Sequence, residues 1–74
     1  MADEAQHYDL AKRHVAEAEE RIGRQRGIIA TLRATGHDVS AAQDLLVTME
    51  ASLEPMRSHL RQIESELARG SRQP

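Results

Sequence analysis

The sequence predicts an all-α protein, an antiparallel two-helix hairpin of coiled-coil type that dimerises into a four-helix bundle. Three observations predict it. The 74 residues are rich in Ala, Leu, Glu and Arg, with Tyr8 the single aromatic residue and no Cys, Trp or Phe, whereas β-structure leans on aromatic and β-branched side chains. Apolar residues recur at alternating steps of three and four along two long stretches, the spacing of a helix with one apolar stripe. Between the stretches stands "TGHDVSAAQ", residues 35 to 43, which concentrates turn and capping residues.

The first helix is expected over about 3–35. Its stripe runs Tyr8, Ala11, Val15, Ala18, Ile22, Gln25, Ile29 and Leu32, with Gln25 its single polar member. A repeat of this kind favours helices that cross at a shallow left-handed angle. With the stripe written as heptad positions a and d, Ile28 and Leu45 fall at flanking g positions and widen the stripe near the turn. Arg33 lies in the last turn, where a cation suits the negative helix end. Gly36 then supplies the left-handed conformation that ends a helix.

The turn is expected at 36–39. Asp38 or Ser40 caps the second helix, and Ser40 with Gln43 has the spacing of a capping box. His37 and Asp38 as a catalytic or metal-binding pair lack a third ligand nearby in sequence, so the stretch reads as a connection between helices.

The second helix is expected over about 40–69, with a disordered tail at 70–74. Its stripe, Val39, Ala42, Leu46, Met49, Leu53, Met56, Leu60, Ile63 and Leu67, has no polar member. Pro55 falls at an outward c position, and the stripe keeps phase across it. Proline frees one helical carbonyl and bends the helix, so a continuous helix kinked near Pro55 is expected rather than two shorter ones.

Two antiparallel registers are open. One pairs the e positions Lys12 with Glu64, Glu19 with Arg57 and Arg26 with Glu50; a register one heptad shorter juxtaposes Lys12 with Arg57 and Glu19 with Glu50. Opposite charges favour the first, although the g positions favour the second by joining Ile28 to Leu45 and His7 to Glu66.

A two-helix seam, with alanine at some positions, shields little apolar surface against the entropy of ordering so long a chain. A second copy packed face to face closes the stripe. The interface residues expected are Val15, Ile22, Ile28, Ile29, Leu32, Leu45, Leu46, Met49, Leu53, Met56, Leu60 and Ile63. A further protein partner is the alternative occupant. Small residues on the outer face of the first helix (Ala16, Gly23, Gly27, Ala30 and Ala34) suit a second close helix contact or a plain solvated surface.

Other chemistry has only short motifs behind it. "EAQH" places Glu4 and His7 at the Glu-x-x-His spacing of metal-binding bundles, with Glu64 or Glu66 available from the second helix. Acids are also common in a first helical turn, so no metal or other cofactor is expected. His14 and His59, both at g, face one another in a pH-sensitive arrangement or sit as half-exposed flanking residues. Arg21, Arg24, Arg26 and Arg33 are the candidate nucleic-acid contacts. They divide between two flanks and have no aromatic beside them to stack on bases, so nucleic-acid binding is the lesser expectation. No nucleophile–base arrangement or phosphate-binding loop is present, so no enzymatic activity is expected. No leader-like start and no apolar run of membrane-spanning length stand in the sequence, and a cytoplasmic location is expected.

The stretch "HVAEAEERIGRQRGIIATLRATGHDVSAAQDLLVTMEASL", followed by His59 and Ile63, resembles a group of small helical-hairpin proteins of alphaproteobacteria, rhizobial relatives especially. Arg21, Ile22, Gln25 and Arg26 upstream of "GHDVSAAQDLL" are its most specific part, and Pro55 departs from it. The resemblance implies a recurrent bacterial hairpin, carries no established activity and implies no catalytic residue.

Overall fold

The computed structural model describes residues 4–70. Two helices, α1 (Glu4–Ala34) and α2 (Ser40–Gly70), pack against each other, and no strand occurs among the described residues. Each has 31 residues, which at 1.5 Å per residue makes it ~46 Å long. Gly70 closes α2 rather than opening a tail, and the expected disordered segment beyond it, 71–74, lies outside the described residues, as does residue 3. The molecule is 19 × 15 Å across, a single layer of two helices each ~10 Å thick.

The connection closes by backbone geometry. Gly36 has φ +76°. Its amide donates to the Arg33 carbonyl at 3.2 Å, and the His37 amide to the Leu32 carbonyl at 2.8 Å, the paired bonds of a Schellman end that need the left-handed residue between them. At the start of α2, the Gln43 amide donates to the Val39 carbonyl. Asp38, not the Ser40–Gln43 capping box, does the capping. Its Oδ1 accepts from both the Ser40 amide (2.9 Å) and the Ser40 hydroxyl (2.7 Å), which turns that hydroxyl away from the helix interior. These two bonds hold the Asp38 carboxyl below its ordinary range.

Every stripe position of both helices is buried or half-buried, and Arg57 is the one other described residue shielded to that degree. Val15, Ile22 and Leu53 form the centre, with Ala18, Leu46, Met49, Met56 and Leu60 packed against them. Gln25 is buried within this apolar row and donates from Nε2 to the Ala42 carbonyl at 2.9 Å. The bond satisfies the amide, whose burial unpaired is costly. It also ties the last third of α1 to the first turn of α2.

Cross-helix ion pairs establish the longer register. Arg57 bonds Glu19 at 2.8 Å and Arg26 bonds Glu50 at 2.7 Å. The third expected pair does not form. Glu64 instead accepts the Tyr8 hydroxyl at 3.1 Å, while Lys12 lies 4.4 Å from the centre of the Tyr8 ring and 3.7 Å from Asp9. α2 runs through Pro55 without interruption. Proline there withholds one amide and leaves the rest of the helix intact, which is the expected cost of a single interior proline.

Candidate interaction surface

A two-helix layer has two faces, and here they differ in chemistry. The e and b positions form one. In α2 that face carries Glu50, Glu54, Arg57, Arg61 and Glu64. A groove along it is lined by Glu19, Ile22, Arg26, Glu50, Leu53, Glu54 and Arg57, so the two bridging ion pairs lie over the seam. Arg57 is further held by Glu54 at 3.6 Å, and the Glu19 hydrogen bond raises its affinity for its proton. Beneath this cover Ile22 and Leu53 are only 4% and 5% exposed.

The g and c positions form the other face. From Ala41 to Gln62 those positions of α2 read Ala41, Leu45, Thr48, Ser52, Pro55, His59 and Gln62, with no carboxylate, ammonium or guanidinium among them. A groove of about 630 Å³ lies along its middle, lined by His14, Glu17, Ala18, Arg21, Thr48, Met49, Ser52 and Met56. No cross-helix ion pair spans it, and the stripe residues Ala18, Met49 and Met56 remain half-exposed. Three of the four exposed large apolar residues belong here: Leu10, Ile28 and Leu45, at 45%, 51% and 51% exposure; the fourth, Val47, lies on the charged face.

The expected interface residues therefore divide. Val15, Ile22, Ile29, Leu53 and Ile63 are already closed within one hairpin and have little surface left to offer, because flanking side chains fold over them. Leu32, Leu46, Met49, Met56 and Leu60 are half-buried, and Ile28 and Leu45 stand out from the hairpin.

Of the two arrangements open to His14 and His59, the flanking one is observed, and both residues are exposed. His14 does not face His59; it lines the central groove with Ser52. His7 is the residue beside His59, with ring centres 5.6 Å apart. In an antiparallel pair, e follows its core residue and g precedes it, so the two flanks meet at different levels in one register. That offset also prevents the g positions from voting for the shorter register. Glu4, His7, His59 and Glu66 line a small recess near the open end of the hairpin. No three His, Asp or Glu side chains among the described residues are grouped closely enough to hold a metal ion.

Of the four candidate nucleic-acid contacts, Arg26 is bound to Glu50 and Arg21 lines the central groove beside Glu17. Arg24, at c, lies on the face of Arg21, and Arg33, at e, on that of Arg26, so the four do not make one basic patch. In the turn, the ring of His37 is 2.8 Å from the Thr35 hydroxyl and Asp38 is engaged by Ser40. The residue that sequence reasoning missed is Leu10. It stands outside the stripe, and its c position gains meaning only once the g face is seen to be open. No helix is long and apolar enough to cross a membrane among the described residues. Compared with known proteins, the chain matches no family model, and neither a curated protein nor a solved structure is significantly similar to it.

Proposed function

We propose that this chain is a non-enzymatic helical interaction module of the cytoplasm that associates with a second copy of itself into a four-helix bundle. The observation that carries the reading is the contrast between the two faces. One is closed by ion pairs, and the other leaves Leu10, Ile28, Leu45 and the groove over Met49 and Met56 uncovered. Two quantities support it. Domains are normally built from at least two packed layers, and this molecule has one. It exposes 5723 Å², whereas a compact chain of its 8.3 kDa exposes about 4,600 Å². The difference is comparable to the ~800 Å² that each partner contributes to a standard interface. Sedimentation equilibrium at micromolar concentration tests the reading: twice the chain mass is expected, and a well-folded species of single mass refutes it.

A further inference from the structure

We propose that the second copy docks on the g/c face about a two-fold axis perpendicular to the helices, passing the level of Glu19 in α1 and Ser52 in α2. The inference rests on the dimeric reading above and adds which face is used and in which alignment. Laying the g/c row of α1 antiparallel on its own copy about that level matches the row to itself. Leu10 meets Ile28 of the second copy, and Ile28 meets Leu10. Glu17 meets Arg21 and Arg21 meets Glu17, forming an alternating ring of four charges around the axis. Arg24 falls beside His14.

The same axis suits α2. Ala18, Arg21, Met49 and Ser52 border one groove, so Ser52 stands near the level of the α1 axis. There α2 meets its copy through Ser52 and its small uncharged neighbours Thr48 and Pro55, while Leu45 falls against His59. An isologous interface requires such a self-complementary patch. The opposite face offers no equivalent, since its Arg57, Glu19, Arg26 and Glu50 are already paired within the hairpin.

The experiment combines charge reversal with cross-linking. Sedimentation equilibrium of the unmodified chain comes first; a monomer there overturns the functional reading and this alignment with it. In a dimer, Glu17→Arg and Arg21→Glu each weaken association about tenfold, because two ion pairs turn into two repulsions, and the double reversal restores it. Both side chains are on exposed residues, and circular dichroism confirms that each variant keeps its helicity. The chain has no native cysteine, so Ser52→Cys and Gly23→Cys place single thiols on the two opposite faces. A short bismaleimide, matched to helices ~8–10 Å apart, is expected to join Ser52→Cys chains into covalent dimers and to leave Gly23→Cys chains single. Cross-linking through Gly23→Cys instead, or a double reversal that stays as weak as its parents, overturns the alignment while the dimer itself stands.

Discussion

Single residues decide how the hairpin closes. Asp38 holds the start of α2 as a carboxylate, accepting two bonds from Ser40, and its folded-state affinity for a proton is lowered by them. The sign follows from linkage: a lowered folded value stabilises the native state above the unfolded value and loses that contribution as pH falls through the folded value. Asp38→Ala is therefore expected to lower the melting temperature at neutral pH. Its deficit relative to the unmodified chain should shrink below the ordinary carboxylate value of 3.8, as parallel thermal melts across the acid range will show. Gln25 acts differently, since its bond to the Ala42 carbonyl is made within the seam. Gln25→Ala strands a shielded carbonyl and leaves a gap, costing about 1–3 kcal/mol. Gln25→Leu fills the row and relaxes the tie between the helices, so a stability close to the original with loss of a single register is expected, read as broadened or doubled amide resonances.

The helices themselves carry sequence choices that do not serve isolated helix stability. Gly23 and Gly27 lie in mid-helix, and a Cβ added at either meets no atom within 4 Å. Alanine is favoured over glycine there by about 1 kcal/mol per site. Gly23→Ala and Gly27→Ala are thus expected to raise the melting temperature by ~4–8 °C each without changing the mass in solution. A lowered melting temperature or loss of a partner would show that another helix rests on those glycines. Much of this architecture was legible in the sequence. The stripe identified every seam residue, because period alone determines which side faces a neighbouring helix. The e-position charges favoured the register observed while the g positions favoured the other, and two of the three pairs expected from the charges form. The rest depended on local competition that spacing does not encode. Lys12 turned to Tyr8 and Asp9 while Glu64 took the Tyr8 hydroxyl, and Asp38 drew the Ser40 hydroxyl out of a capping box. Of the two arrangements left open for His14 and His59, the level offset between flanks excludes the facing one and brings His7 to His59.

For the whole molecule the governing fact is that no large side chain among the described residues is completely shielded from solvent. A core of that kind, centred on Val15, Ile22 and Leu53, holds two helices in register but leaves a narrow margin; folded domains retain only ~0.05–0.15 kcal/mol per residue in any case. If the second copy supplies the missing layer, association and folding are linked, and the native state gains stability with concentration by mass action. The melting temperature should then rise steadily as the protein concentration is raised, a dependence that a self-sufficient monomer does not show. Ile28→Asp combined with Leu45→Asp separates the two cases. Both side chains are about half exposed, so the substitutions remove little from the hairpin's own packing, yet in the bundle Ile28→Asp sets a carboxylate against the apolar Leu10 of the second copy and Leu45→Asp removes an apolar contact beside His59, which together weaken association. The double variant is expected to melt at a lower temperature that no longer depends on concentration, and to sediment as a single chain that keeps much of its helicity at low temperature. Were the double variant to melt with the same concentration dependence as the parent, the open face would not be where the copies meet, and the ion-paired face would have to open to receive them.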